Sequence, residues 1–441
     1  MSTNVSARYE RRVSVADEDH RSPGRRDHDR VVFSRAVQRL AGVTQVVSAL
    51  EGFAFHNRLT HTLEMAQLGR RFAEKLVDEV PQDRILEIGG LDPDVVETAC
   101  LVHDVGHPPF GHTAESELDA LLVSEMPDGF EGNAQSLRVV TTLEPYRPTL
   151  LGLNLTRASL RALLKYPFLK ATKPADFPKW GVYETDRDTL AWVADGAEIT
   201  SRSAEAQLVE IVDDIAYSVH DVDDFFRCHL IPLDRILLGA SDYERFMREA
   251  FQSWTRPPDE LAKLDREDLA QFFLSLLRRY VTVEGEYRGT QAQRAALRLA
   301  TSNLVKYFRD SLSVKLEPPW ITLGSEERIA IALLREVTRF YVHRNGALVA
   351  QQHGNRRVIR LLFDTFRDHA ERRDFAIFPE QFRDIISDDR ILERYSPLEA
   401  GPPHLRLISD TICSLTDGQA ILMYNRLTGA GPGVIFDPVG S

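Results

Sequence analysis

Residues 103–115, which read HDVGHPPFGHTAE, are the part of this chain richest in side chains that can do chemistry. Imidazole and carboxylate ligands together suit Mn²⁺, Fe²⁺, Mg²⁺ or Zn²⁺ and do not distinguish among these ions. Where a helix ends in a Gly/Pro-rich loop, neighbouring side chains can turn towards one metal ion. The alternative is a capped loop in which the same groups make only structural hydrogen bonds. The ionisable side chains of this stretch are His103, Asp104, His107, His112 and Glu115.

Further ionisable residues lie on two helices that the hydrophobic pattern predicts. His61 is at the start of an apolar stripe that continues through Met65 with helical spacing. Asp213 and Asp214 lie in a second amphipathic helix, predicted over residues 208–226. At about 100° per residue, Asp214 lies ~100° from the centre of the apolar stripe and Asp213 ~160°. The pattern therefore favours Asp214 for a site at the edge of the core, although alone such residues are usually core or solvated positions.

Helices are the elements that must position these residues. The first is predicted to begin near Thr60, and the second opens at Asp92, an N-cap residue followed by proline at the first helical position. Gly106 and Pro108 end the second helix. Proline and glycine clusters mark the other loops, and strand signals are few. The sequence therefore predicts an all-α fold.

Composition narrows the class of protein. The 441 residues include 66 acidic and 54 basic side chains, a net charge of −12, in a balance typical of a globular chain. This excludes a fibrous or globally disordered protein and argues against a nucleic-acid coat or a membrane-surface binder. The three cysteines lack CxxC spacing, which argues against a disulfide framework. Without an apolar leader or a run of ~18 apolar residues, we expect a cytoplasmic location and no membrane partner.

The order of these residues resembles the H…HD…D signature of the HD superfamily, and the likeness extends to one family within it. That family is the deoxyguanosinetriphosphate triphosphohydrolases, which act on deoxynucleoside triphosphates (dNTPs). The likeness covers nearly the whole chain. The segments that carry it are 42–46 (GVTQV), 58–64 (RLTHTLE), 103–115, 130–135 (FEGNAQ), 164–167 (LKYP), 213–217 (DDIAY) and 405–417.

The resemblance implies an all-α HD-domain metallohydrolase that converts a dNTP to a deoxynucleoside and inorganic triphosphate. It implies a divalent cofactor, Mn²⁺, Mg²⁺ or a similar ion. The expected ligands are His61, His103, Asp104 and Asp214.

The resemblance also implies roles for residues around the metal. His112, supported by Glu115, is the expected acid–base pair, and His107 is expected beside the phosphates. Tyr217 and Asp221 follow Asp214 at helical spacing, so they share its helix face. The residues expected to bind substrate are Gln45, Tyr217 and Asp221 at the deoxyribose, and Arg58 and Lys165 at the triphosphate.

We expect three regions along the chain. Residues 1–30 mix both charge signs densely and are predicted to form a flexible arm. Residues 31–230 are expected to form the HD-type catalytic core, and residues 231–441 a helical region that packs on it. By analogy with the family, we also expect a homo-oligomer and an allosteric nucleotide in addition to the dNTP substrate.

Two other functions use the same residues. A 5′-nucleotidase or another HD-superfamily phosphohydrolase would keep the metal site but release different products. A dNTP-binding regulator would have lost turnover, yet His112, Glu115 and all four expected ligands are intact. A purely structural helical scaffold is the least favoured, because it has no need of three histidines in one Gly/Pro loop.

Overall fold

The computed structural model describes residues 7–15, 19–46, 56–196, 199, 201–238, 241–252, 265–282, 285–397 and 401–431. Over these residues the fold is all-α, as predicted, with one two-stranded antiparallel sheet. Its strands are β1 (Ser313–Val314) and β2 (Ile321–Thr322). No described helix is both long enough and apolar enough to span a membrane.

The described residues of the first half of the chain form ten α-helices and most of the candidate site. They are α1 (Pro23–Val32), α2 (Arg35–Arg39), α3 (Arg58–Glu79), α4 (Gln82–Glu87), α5 (Pro93–Val102), α6 (His112–Leu122), α7 (Gly132–Arg138), α8 (Arg157–Leu163), α9 (Arg187–Ala194) and α10 (Ala204–Arg227).

The second half supplies the remaining described helices. They are α11 (Leu233–Leu237), α12 (Ser241–Gln252), α13 (Arg266–Tyr280), α14 (Gln291–Asp310), α15 (Ser325–Thr338), α16 (Gly346–Glu371), α17 (Glu380–Ser387), α18 (Asp389–Tyr395), α19 (Pro403–Cys413) and α20 (Asp417–Thr428).

Side-chain caps determine where the helices of the site begin. The Asp92 side chain accepts a hydrogen bond from the backbone N–H of Asp94, and Pro93 occupies the first turn of α5, as predicted. Helix α3 begins two residues before Thr60, because Asn57 is its cap and accepts from the Thr60 backbone N–H. The predicted start at Thr60 is therefore corrected to Arg58. This change matters because it places Arg58 inside the helix that carries His61.

Helix α10 is the centre of the first hydrophobic cluster. It contacts α3, α5, α8, α14 and α15, so neighbours surround it rather than covering one face. The cluster extends from Val31 to Val342 and includes residues on both sides of position 230. Within the predicted arm, α1 contacts α5 and the Arg11 guanidinium binds the buried Asp27 carboxylate. The division at residues 30 and 230 and the flexibility of residues 1–30 stay predictions.

A second hydrophobic cluster joins the chain's middle to its C-terminal region. It unites α6 and the segment up to Phe130 with α16, α17, α19 and α20. Buried ion pairs cross the same junction, with Arg406 on Asp128 and Arg138 on Asp410, both at 2.8 Å. The C-terminal helices therefore hold the segment that contains His112 and Glu115.

Candidate active site

A pocket of about 980 Å³ opens between α3, α10, α15, α16 and the loop that precedes α6. His61, Glu115 and Asp221 lie behind its wall and are not among the lining residues. The sequence-predicted residues that line it are Gln45, Arg58, His103, Asp104, His107, His112, Lys165, Asp214 and Tyr217.

Two histidines and one aspartate converge beside this pocket from three separate helical segments. Oδ1 of Asp213 lies 3.4 Å from Nε2 of His61 and 3.8 Å from Nε2 of His103. One ligand atom from each of the three residues lies within 4.8 Å of the others. Both Nε2 atoms are buried and have no hydrogen-bond partner. Two unpaired imidazole nitrogens facing one carboxylate are suited to a divalent metal ion.

Backbone contact determines which nitrogen of His103 can bind a metal. Nδ1 of His103 lies 2.7 Å from the carbonyl oxygen of Cys100. Because a carbonyl only accepts hydrogen bonds, Nδ1 carries the proton and Nε2 carries the lone pair. Burial acts to raise the pKa of Asp213, but His61, Lys165 and His103 together hold it below its usual value. The carboxylate is therefore ionised and ready to bind a cation.

Asp214, which the helix pattern favoured, faces away from the two histidines. Its Oδ1 lies 2.8 Å from the Arg335 guanidinium on α15. The prediction assumed one buried stripe and one solvent side, whereas α10 is packed on several sides. Adjacent residues of such a helix face different neighbours, so Asp213 faces the histidines of the neighbouring segments and Asp214 faces α15. The choice of Asp214 over Asp213 is therefore corrected.

Asp104 lies between the histidine cluster and a buried arginine. Its Oδ1 is 3.4 Å from Nε2 of His103 and 3.1 Å from Nδ1 of His107, and its Oδ2 binds the Arg58 guanidinium. Burial acts to raise the pKa of Asp104, but Arg58, His103 and His107 hold it well below its usual value. Arg58 is only 2% exposed and also donates from Nε to the Thr44 carbonyl at 2.9 Å. Arg58 thus holds Asp104 in place as well as lining the pocket.

On the far side of Asp104, a second pair combines an exposed imidazole with a buried carboxylate. Nδ1 of His112 lies 2.6 Å from Oε2 of Glu115, and the His112 side chain is 68% exposed. Oε1 of Glu115 accepts from the backbone N–H of Gly132 at 3.0 Å and lies 3.4 Å from Nζ of Lys179. The buried carboxylate therefore orients an imidazole whose other edge faces the pocket.

His107 lies between these two groups. Its ring centroid is 4.9 Å from that of His112. Neither ring nitrogen makes a hydrogen bond of good geometry, although Nδ1 lies 3.1 Å from Oδ1 of Asp104. Burial, followed by the positive charge of Arg58, lowers the pKa of His107 to about 4. The ring is therefore neutral near pH 7 and can accept or donate one hydrogen bond to a bound ligand.

Glycine allows this loop to pack directly on α7. A Cβ at Gly106 would lie 2.2 Å from the Ser136 backbone nitrogen and 2.4 Å from the Gly132 carbonyl oxygen. No side chain fits at that distance. The Gly106 N–H also donates to Oγ of Ser136 at 3.0 Å, which fixes the turn after His103 and Asp104.

The predicted sugar-binding residues are only partly together. Tyr217 lines the pocket with its hydroxyl 3.3 Å from Nε2 of His343, and Gln45 lines it with a buried Oε1 that has no partner. Asp221 is buried behind Tyr217, where burial and the charge of Asp224 raise its pKa well above the usual value. Lys165, which was expected at the triphosphate, also lines the pocket, and its Nζ lies 3.6 Å from Oδ2 of Asp213.

Sequence reasoning missed several residues of the pocket. Arg335, Arg339 and His343 reach it from α15 and the π-helical turn that follows, and Lys179 reaches it from a proline-containing loop. Arg335 and Arg339 are four residues apart on one helix face, which from sequence alone is typical of a solvated face. Only the folded chain brings these cations opposite the histidines.

Comparison with known proteins identifies relatives over most of the chain. The HD domain family model matches residues 58–157. Three relatives are each named deoxyguanosinetriphosphate triphosphohydrolase-like protein. That of Streptomyces coelicolor is 36% identical, over 94% of this chain and 95% of the relative. Those of Rhodopseudomonas palustris and Bifidobacterium longum are 32% and 30% identical, over 93% and 91% of this chain and 92% and 82% of the relatives.

Proposed function

Because the chain belongs to the deoxyguanosinetriphosphate triphosphohydrolase family of HD-domain hydrolases, we propose that it hydrolyses dNTPs to deoxynucleoside and inorganic triphosphate with a divalent metal ion. The observation that carries the proposal is one pocket beside which two groups of side chains lie. The first is the His61–His103–Asp213 cluster, of which His103 and Asp213 line the pocket, and the second is the His112–Glu115 pair, of which His112 lines it. The first group is suited to a metal ion and the second to proton transfer.

The proposed metal ligands are His61, His103 and Asp213, with Asp104 as the fourth. Their fit is supported by the two buried Nε2 atoms without partners and by the ionised carboxylates beside them. The donor set of imidazole and carboxylate does not select between Mn²⁺ and Mg²⁺ or similar ions. A divalent ion held there would neutralise charge on the α-phosphate oxygens and lower the pKa of water.

We assign the leaving-group proton to His112. Water attacks the α-phosphorus and loses one proton to solvent, the bond from phosphorus to the 5′-oxygen breaks, and the protonated imidazole donates its Nε2 proton to that oxygen. Glu115 accepts from Nδ1, so it keeps the ring oriented and stabilises its charged form. Neutral His107, beside His112, would hydrogen-bond a phosphate oxygen.

Local charge reconciles an anionic substrate with a protein of net charge −12. Five of the described lysine and arginine side chains line the pocket, and each can meet triphosphate oxygens through charge-assisted hydrogen bonds. Arg58 and Lys165 were expected there, whereas the other three come from the folded structure. The five are Arg58, Lys165, Lys179, Arg335 and Arg339.

We propose that Tyr217 selects deoxyribose. Tyr217 follows Asp213 by four residues on α10, one helical turn away, so its ring stands next to the proposed metal site on the pocket wall. A ring in that place would leave no space for a ribose 2′-hydroxyl. Gln45 and Asp221 are proposed to hydrogen-bond the 3′-hydroxyl, which for Asp221 requires a shift from its position behind Tyr217.

Product analysis tests the proposal. We would incubate the purified protein with each dNTP and each rNTP in the presence of Mn²⁺ or Mg²⁺ and separate the products by chromatography. Deoxynucleoside and inorganic triphosphate, formed from dNTPs and not from rNTPs, are the expected result. Release of orthophosphate would favour a 5′-nucleotidase or another HD phosphohydrolase. Nucleotide binding without any product would favour a regulator.

Three further expectations stay predictions. They are a homo-oligomer, activation by a second nucleotide, and a cytoplasmic location. Mass photometry with and without dNTPs tests the first, and rates measured with mixed dNTPs test the second. Imaging of the tagged protein in its native cell tests the third.

A further inference from the structure

A second group of metal-ligating side chains lies outside the pocket described above. One atom each from His56, Glu64 and His220 lies within 4.8 Å of the others, and none of the three lines the pocket. We propose that these residues bind a second divalent ion of the zinc class. The inference does not depend on the proposed function, because it rests on a different set of side chains.

The positions of these residues separate the two sites. His220 follows Asp213 by seven residues on α10, which at 1.5 Å per residue is about 10 Å along the helix. Glu64 lies on α3 and His56 just precedes that helix. A single ion cannot reach both groups, so the proposed ion is additional to the one at His61.

The ligand atoms are already close to coordinating positions. Oε2 of Glu64 lies 3.1 Å from Nε2 of His56 and 2.8 Å from Nδ1 of His220. The two imidazole rings stack with their centroids 5.3 Å apart. In a tetrahedral zinc site with bonds of about 2.0–2.1 Å, neighbouring ligand atoms are roughly 3.3 Å apart. Small side-chain shifts would therefore suffice, and two histidines with one glutamate form an established zinc ligand set.

Asp224 prepares His56 for this role. Oδ2 of Asp224 lies 2.7 Å from Nδ1 of His56 and also accepts from the His56 backbone N–H at 2.7 Å. The carboxylate thus holds the Nδ1 proton and directs Nε2 towards Glu64. A carboxylate behind a ligating histidine is the usual support of a zinc site.

His220 has a buried nitrogen that its surroundings do not satisfy. The residue is 8% exposed, and Nδ1 has no hydrogen bond of acceptable geometry although Glu64 lies only 2.8 Å away. Buried polar atoms are normally paired, so such an atom calls for a partner. A metal ion between Nδ1 and the carboxylate would supply one.

Metal analysis of the untagged full chain tests the inference, with Zn²⁺ as the probe. After chelation, Zn²⁺ loading and dialysis, the wild type should retain two ions per chain. The Asp213→Asn variant should retain one, and the Glu64→Gln/His220→Asn variant should also retain one. Combining all three changes should leave none. The matched control is His229→Asn, because His229 is exposed and follows α10 outside both groups; it should retain two.

Two outcomes would overturn the proposal. One is that the Glu64→Gln/His220→Asn variant keeps both ions, and the other is that the wild type holds one ion that Asp213→Asn removes. Thermal melts provide a second test in case the Glu64→Gln/His220→Asn variant misfolds. Zn²⁺ should raise the Tm of Asp213→Asn, and adding Glu64→Gln, a change at a side chain that is 45% exposed, should abolish that rise. An unchanged rise would equally refute the site.

Discussion

Oε2 of Glu115 lies 2.6 Å from Nδ1 of His112, so a buried carboxylate holds one edge of an imidazole whose other edge is open. The two residues therefore have different roles. The buried Glu115 can orient the imidazole and stabilise its protonated form, whereas only the exposed His112 can reach a substrate. Changing the two residues should therefore have unequal effects.

We expect His112→Ala to lower kcat by ~10²-fold or more, because the leaving 5′-oxygen loses its proton donor. Metal content and dNTP affinity should stay near those of the wild type, since none of the proposed metal ligands is changed. Glu115→Gln should lower kcat less, because it disturbs only the orientation and charge of the ring. Steady-state kinetics, metal analysis and equilibrium dialysis measure these effects. Normal turnover by His112→Ala would make His112 structural.

Asp213 and Asp214 provide a matched pair for the metal site. Asp213→Asn should abolish metal retention at the pocket and lower kcat by ~10²-fold or more, because an anionic ligand beside two imidazoles is lost. Asp214→Asn should retain the ion, since its carboxylate contacts Arg335 instead. Metal analysis and kinetics at saturating Mn²⁺ separate the two. If Asp214→Asn loses the ion and Asp213→Asn keeps it, Asp213 is not the metal ligand.

Tyr217 offers a test of sugar discrimination. Tyr217→Ala should lower the preference for dGTP over GTP in kcat/KM by ~10-fold or more, because the ring that would exclude the 2′-hydroxyl is removed. Tyr217→Phe is the control, since it keeps the ring and loses only the hydroxyl, which contacts His343 and Asp221. If the Phe variant also loses discrimination, the hydroxyl rather than the ring is responsible. Equal hydrolysis of dGTP and GTP by the wild type would rule out this role.

Glu131 links the site to the pH dependence of stability. Burial, followed by the charge of Glu115, raises the pKa of Glu131 to about 7. Between the usual glutamate value and pH 7, the folded chain keeps a proton that the unfolded chain has lost. The free energy of unfolding should therefore fall across this range as pH rises, by about 1–3 kcal/mol from this group. Glu131→Gln removes that contribution.

Urea unfolding at pH 5 and pH 7.5 measures the difference. The wild type should lose more stability between the two values than Glu131→Gln does, and Glu125→Gln should behave as the wild type because its side chain is 47% exposed. Identical pH dependence in all three proteins would mean that Glu131 does not hold its proton in the folded state.

Asp417 is expected to be a major contributor to stability. Its carboxylate accepts from the Phe110 backbone N–H at 2.8 Å and from the Thr44 backbone N–H at 3.1 Å, and the residue is fully buried. Phe110 has a φ of 66°, a left-handed conformation that needs such support. Asp417→Ala should lower the free energy of unfolding by about 2–4 kcal/mol.

The surface control for that change is Asp364→Ala, whose side chain is 52% exposed. It should alter stability by less than about 0.5 kcal/mol. Chemical denaturation of both variants measures these changes in the free energy of unfolding. Equal small effects would show that the Asp417 hydrogen bonds do not hold the loop.

The sequence predicted the parts of this molecule that depend on local pattern. The all-α fold and the Asp92–Pro93 start of α5 follow from helix periodicity and capping, which act within a few residues. The choice between Asp213 and Asp214 failed because it depends on how many neighbours surround α10. Lys179 and Arg335 were missed for a related reason: only tertiary contacts bring them to the pocket, and the local pattern around them is that of ordinary surface residues.

The bond between Phe110 and Asp417 also has a consequence for biosynthesis. The carboxylate that holds the loop between His107 and His112 is translated 307 residues after Phe110. A nascent chain that already contains every histidine of the pocket therefore cannot yet hold this loop in its final conformation. The loop can therefore take up its final conformation only once α20 has been translated and has docked against it.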